Sequence, residues 1–215
     1  MRTTKLYLYA LAFGLMSLVG FTSCLDDDDN QNNNNQYREM TTLEKEIAIT
    51  KAAGFYSGKF FFYNVENKLD SVATDVSITA SDSVFTTIIP KEPLNAFIHQ
   101  FSLPEEKLAI FDQAPSPELK GILHPYWNQY LEAYFYTFIY TYVNNTVTLS
   151  FDVDETPHTV EYKFKDILYG SYGEEYVRYA QWDNNTFACN VLLESIQLDD
   201  TLFPINSCMS LSVKK

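Results

Sequence analysis

The run from residue 126 to residue 143 constrains the fold most. It holds Tyr126, Trp127, Tyr130, Tyr134, Phe135, Tyr136, Phe138, Tyr140 and Tyr142. From Ala133 onward, aromatic and β-branched residues favour a strand. In a strand, successive side chains point to opposite faces. Tyr134, Tyr136, Phe138, Tyr140 and Tyr142 would then share one face, with Phe135, Ile139 and Val143 on the other. A strand that is apolar on both faces belongs in the middle of a sheet, so the rest of the chain has to build a sheet around it.

Further strands are expected on both sides. Phe55 to Tyr63 is dense in aromatics and stops at Asn64-Val65-Glu66-Asn67. Leu69 to Thr79 alternates around Val72, Val76 and Ile78, and Val84 to Ile89 ends at Pro90. Asn144-Asn145 reads as a turn. Val147–Val153, Thr159–Phe164, Tyr176–Gln181, Phe187–Leu198 and Met209–Val213 continue the pattern. Short links at 154–157 and 182–185 suit antiparallel hairpins. A short helix leads the domain over residues 40–53, with Thr41 and Glu44 spaced as a capping box and Leu43, Ile47 and Ala48 on one side. Residues 91–125 carry five prolines directly after Pro90, and read as an irregular insert with one short helix after Pro104. The expected class is all-β: an antiparallel meander closed as a barrel or stacked as a sandwich, with a short leading helix and a Pro-rich, partly helical insert. The opening Gly54-Phe55-Tyr56-Ser57-Gly58 after a helix resembles calycin-type barrels.

The N-terminus says where such a domain would sit. Arg2 and Lys5 precede an uncharged stretch from Leu6 to Gly20, then Phe21-Thr22-Ser23-Cys24. Fifteen residues suit a secretory signal and fall short of the ~20 that span a bilayer. The segment resembles the lipobox of bacterial lipoproteins. That resemblance implies cleavage before Cys24, a diacylglycerol on its thiol and an acyl chain such as palmitate on its new amine. The alternative is an ordinary signal peptide with an incidental cysteine. Asp26, Asp27, Asp28 and Asp29 follow and resemble the surface-export signal of Bacteroidetes lipoproteins, against a plain solvated linker. Residues 30–36 are almost all Asn and Gln and cannot bury enough apolar area to order themselves. The expected organisation is a signal peptide at 1–23, a lipidated acidic and Asn-rich tether at 24–39, and one β-rich domain at 40–215.

Gly54-Phe55-Tyr56-Ser57-Gly58-Lys59, Asp70-Ser71-Val72, Ile78-Thr79-Ala80-Ser81-Asp82-Ser83-Val84 and Ile88-Ile89-Pro90 together resemble a family of lipoproteins of gut Bacteroides with no established activity. The resemblance implies an outer-membrane lipoprotein and carries no chemistry.

Charge excludes one class of partner. The formal net charge is −13, and residues 1–23 hold Arg2, Lys5 and no acid, so their removal leaves −15. With no basic cluster, nucleic acid is not an expected partner. Cys189 and Cys208 stand either as a disulfide in an exported protein or as two buried free thiols.

Motifs for catalysis are sparse. His99, His124 and His158 stand apart, and no hydrolase, zinc or phosphate-loop signature occurs. No cofactor or metal is expected. Asp152, Asp154 and Glu155 offer alternate carboxylates for a hard cation, or simply a solvated turn. Tyr126, Trp127, Tyr130 and Trp182 are either a stacking platform for sugar rings or core. Asp70-Ser71-Val72, Asp82-Ser83-Val84 and Asp200-Thr201-Leu202 resemble the O-glycosylation sequon of Bacteroidetes exported proteins, with ordinary turn chemistry as the alternative. The expected function is a non-enzymatic surface lipoprotein that binds a glycan or protein partner. A barrel holding a small apolar ligand, or a glycan hydrolase with paired acids, are the alternatives.

Overall fold

Helix α1 (Thr42–Ala52) begins as its capping box dictates: Glu44 N–H donates to Thr41 Oγ1 at 3.3 Å, and Thr41 N–H donates to Glu44 Oε2 at 2.8 Å. The computed structural model of the protein describes residues 40–126, 135–165, 167–169, 175–177, 179–183 and 185–215. At Tyr126, 135–136, 167–169 and 175–177 it describes the backbone alone. The chain partitions into Met1–Gln36 and Tyr37–Lys215, and all described residues belong to the second unit.

After α1 come β1 (Gly54–Tyr63), β2 (Leu69–Ile78), β3 (Val84–Ile88), α2 (Lys91–Ile98) and α3 (Glu105–Gln113). Then follow β4 (Glu118–Tyr126), β5 (Phe135–Tyr142), β6 (Thr146–Val153), β7 (Thr156–Phe164), β8 (Ile167–Tyr169) and β9 (Glu175–Val177). The chain ends with β10 (Tyr179–Asp183), β11 (Thr186–Leu198) and β12 (Thr201–Lys214). Strands β1 to β5 pair in sequence order, β5 pairs β10, β10 pairs β11, β11 pairs β12, and β12 returns to β1. Every one of these pairings is antiparallel, so the ring is a closed meander barrel of eight strands. Strand β5 is paired on both edges, as expected of a central strand, but its core face is that of Phe138, Tyr140 and Tyr142; on the other face Ile139 is half-buried and Thr141 and Val143 are exposed.

The ring also forks. The first turns of β11 pair β10 (Cys189↔Ala180), while its second half pairs β7 (Leu198↔Val160). With β6 beyond β7, this builds a four-stranded wing in the order β12-β11-β7-β6. A register shift at Glu194 marks the bend. Phe187, Cys189, Val191 and Leu193 are buried before it, and Ile196 and Leu198 after it. One extra residue keeps the apolar set on one face while the strand changes partner.

Eight strands enclose just enough space for side chains to fill, and aromatics fill it. Phe85 lies 5.2 Å from Tyr140, edge to face, and 5.7 Å from Phe187. Tyr56 lies 6.2 Å from Phe187, and Tyr140 lies 5.6 Å from Tyr142. Each fully buried ring contributes about 1.5–3 kcal/mol. The core continues into the wing through Tyr142 and Phe164 at 5.5 Å. The segments that follow α2 and α3 pack on the wing: Phe101 lies against Phe203, and Tyr162 Oη donates to Pro115 O at 3.0 Å.

Four local expectations change. The buried face of α1 is Ala48, Ile49 and Ala52, whereas Leu43 and Ile47 are exposed. The insert holds a second helix, α2, and a whole strand, β4. Strand β4 tolerates Pro125 because Leu123 N–H points toward β3, to Ser83 O at 2.7 Å; the missing N–H of Pro125 points the same way, past the last paired residue of β3. Finally, Asn144-Asn145 does not close a hairpin, since β5 and β6 do not pair with each other.

Candidate functional site: the cleft where the sheet forks

The corner at Asn144 makes the fork. Val143 N–H donates to Lys120 O at 3.0 Å, which extends the β4–β5 ladder by one step. Phe164 N–H donates to Asn145 O at 2.7 Å, which starts the β6–β7 ladder. Between these two bonds the chain exchanges β4 for β7 as its partner. The strands part, and a cleft of about 350 Å³ opens between the start of β4 and the start of β6.

Its walls are Glu118, Lys120, Val143, Asn144, Thr146, Val147, Thr148 and Leu149. Glu118 and Lys120 form an ion pair at 2.7 Å, so the one acid among the cleft's described lining residues is paired. Thr148 Oγ1 reaches Glu161 at 3.4 Å on the neighbouring strand. The cleft therefore offers an amide, hydroxyls, a neutral ion pair and the apolar sides of Val143, Val147 and Leu149. That set binds by hydrogen bonds and apolar contact. The two acids a glycosidase needs are not both present among its described lining residues.

Most residues singled out from the sequence lie elsewhere. Trp182 is partly buried against the core, and its Nε1–H donates to Tyr56 Oη at 2.9 Å. Tyr126 ends β4, while Trp127 and Tyr130 lie outside the described residues, as do Cys24 and Asp26 to Asp29. The Phe138, Tyr140 and Tyr142 face, on which an apolar-ligand barrel depended, is buried in the core.

Cys189 and Cys208 are not bridged to each other. Cys189 pairs with Leu211 and faces the core, whereas Cys208 pairs with Leu192 on the outer face. Three ladder steps, about 10 Å, separate them, beyond the ~7 Å limit for a bridge. The disulfide alternative is not formed.

The histidines are dispersed. His99 caps α2 with its ring 4.0 Å from Asp112, and His124 Nε2 lies 3.2 Å from Thr141 Oγ1. His158 is the best-held: its Nδ1 lies 2.9 Å from Asp199 Oδ2 while Thr159 N–H donates to Asp199 Oδ1 at 2.9 Å. The His158 bond first, and the Thr159 N–H second, hold the Asp199 carboxyl below its ordinary value. Asp154 and Glu155 occupy the β6–β7 turn with φ of 49° and 63°. Among the described residues, no three His, Cys, Asp or Glu side chains converge as a metal site.

The three sequons differ in setting. Ser71 sits near the start of β2 with its Oγ 3.4 Å from Lys59 Nζ. Ser83 lies in the β2–β3 turn at φ 59°. Thr201 Oγ1 accepts from Lys107 Nζ at 2.8 Å. No described helix is long and apolar enough to cross a membrane.

No protein-family model matches the chain, and neither a curated protein nor a solved structure is significantly similar to it.

Proposed function

We propose that this is a lipid-anchored protein of the outer-membrane surface whose β domain is a non-enzymatic binding module. Cys24 and the acids after it support the anchorage and the outward orientation. The observation that carries the binding role is the packing of the barrel. Its described inward side chains meet ring against ring, so recognition falls to the outside, where the fork cleft combines polar groups with apolar walls. The partner is a glycan or a protein, and the acidic surface disfavours nucleic acid. Ser71, Ser83 and Thr201 are the hydroxyls proposed for O-glycosylation.

Protease shaving of intact cells, with Cys24→Ala as control and intact-mass analysis of the released domain, tests this. Cleavage that depends on Cys24 is the expected result, with added mass at one or more of the three hydroxyls. Complete protection of a folded, lipidated protein would place the domain on the periplasmic side and end the surface reading.

A further inference from the structure

The wing ends in two strand edges, and they differ. The free part of β12, beyond its last pair with β1 (Ser210↔Phe61), carries Pro204 and an Asn206 at φ 51°. Proline and a kinked residue are the devices by which proteins blunt an edge against pairing. Strand β6, at the other edge, has the sequence Thr146-Val147-Thr148-Leu149-Ser150-Phe151-Asp152-Val153. It has no proline, no lysine and no register shift along its pairing with β7.

The bonding phase says which groups this edge offers. The two-residue turn Asp154-Glu155 sets Val153 opposite Thr156, a pair that exchanges both backbone bonds. The bond from Phe164 N–H to Asn145 O at the far end keeps the same phase. The odd-numbered residues of β6 therefore bond β7. Thr146, Thr148, Ser150 and Asp152 aim their N–H and C=O groups outward. Among the described residues, no backbone group bonds them there. Thr148, Ser150 and Asp152 are exposed. The fork cleft adjoins this edge and shares Thr146, Val147, Thr148 and Leu149 with it.

Charge selects the occupant. Asp152, Asp154, Glu155 and Glu161 lie on β6, its turn and β7, while the nearby Lys120 and Lys163 are already paired with Glu118 and Glu194. A second copy of this chain would bring the same acids and the same net charge to the edge.

We propose that the free edge of β6 is a docking site for an extended, lysine- or arginine-bearing segment of a partner protein, which adds to the wing as a fifth strand. Its backbone pairs with Thr146, Thr148, Ser150 and Asp152. An apolar side chain enters the cleft beside Val143, Val147 and Leu149, and its basic residues meet the acids at the turn. This is strand addition to an open sheet edge, in which main-chain bonds supply affinity and alternate side chains supply specificity. The proposal names the partner class for the binding module above and rests on that reading.

The test uses the intact chain in mild detergent, titrated with an alternating Lys–Val decapeptide and followed by backbone amide NMR. An alternating Glu–Val decapeptide is the control. The expected result is that the Lys–Val peptide shifts the amides of Thr146, Thr148, Ser150 and Asp152, weakens with added salt, and outcompetes the Glu–Val peptide. Ser150→Pro removes one outward donor at an edge position and should weaken binding by about tenfold or more. Thr148→Lys, which keeps every backbone group, should also weaken it by placing a cation where the peptide carries its own. No shift on β6 at millimolar peptide, equal binding of both peptides, or binding unchanged in both variants would overturn the proposal. A concentration-dependent dimer without peptide, lost in Ser150→Pro, would assign the edge to a second copy and overturn it too. Cell-surface shaving reads out anchorage independently, so loss of the edge proposal and loss of the surface reading are distinguishable.

Discussion

Trp182 donates its indole N–H to the hydroxyl of Tyr56 at 2.9 Å, and that hydroxyl in turn donates to the carbonyl of Ala52. The two bonds join β10, β1 and the last turn of α1. The Lys215 ammonium adds to the same junction, donating to Ala53 O at 2.6 Å and lying 5.7 Å over the Tyr56 ring. The end of α1 thus has two of its terminal carbonyls satisfied by side chains, as a helix C-terminus requires.

Tyr56→Phe should therefore cost more than the loss of one hydroxyl suggests. Tyr56 is 1% exposed, so the substitution removes the hydroxyl that holds the Ala52 carbonyl in a buried site and deprives the partly buried Trp182 N–H of its bond to β1. The expected destabilisation is about 1–3 kcal/mol, read by urea unfolding with an unchanged slope. A shift below about 0.5 kcal/mol would mean that the junction is not coupled.

The filled barrel makes its own prediction. Phe85 is fully buried between Tyr140 and Phe187. Phe85→Ala should cost about 3–5 kcal/mol. Gly121→Ala should also destabilise, by about 1–3 kcal/mol, because a Cβ there would overlap the Phe85 ring. Both are checked by thermal and chemical denaturation. A near-neutral Phe85→Ala would indicate that the interior holds adaptable space.

The Asp199 turn should show an acid limb. Its carboxyl is held below the ordinary value, first by His158 and then by the Thr159 N–H. A depressed folded value stabilises above the unfolded carboxyl pKa of about 3.9, and the gain vanishes as pH falls through the lower folded value. Melting temperatures of the native chain and Asp199→Asn should differ near neutral pH and converge below about pH 4. Because Asp199 is well exposed, the difference should stay within about 1 kcal/mol. A gap that persists into strong acid would contradict the assignment.

The cysteines should behave unequally. Cys189→Ser places a hydroxyl in the core beside Leu211 and should cost about 1–3 kcal/mol. Cys208→Ser on the outer face should stay within about 0.5 kcal/mol. A disulfide would instead make the two losses equal, at about 2–4 kcal/mol. Parallel denaturation of the two variants decides between these outcomes.

Local chemistry alone accounts for much of this protein. The Thr41–Glu44 box starts α1 because its partners lie three residues apart. The Asp199-Asp200 turn sets Leu198 opposite Thr201 without help from distant residues. The aromatic alternation through Phe138, Tyr140 and Tyr142 fixes which side of β5 is buried. Even the Glu194 shift is written in the spacing of Leu193 and Ile196, where the apolar period of two is broken once. What tertiary structure alone decided is the choice among partners. β4 looked broken because the missing N–H of Pro125 costs nothing only where β3 has already ended. Trp182 could stack on a ligand or seal the barrel, and the position of Tyr56, 126 residues away in sequence, made it a seal. The fork at Asn144 and the open edge of β6 arise because β11 is long enough to pair β10 and then β7. Strand pairing is a contact between distant segments. It follows from which edges remain free once the sheet has closed, and no local window of sequence carries that information.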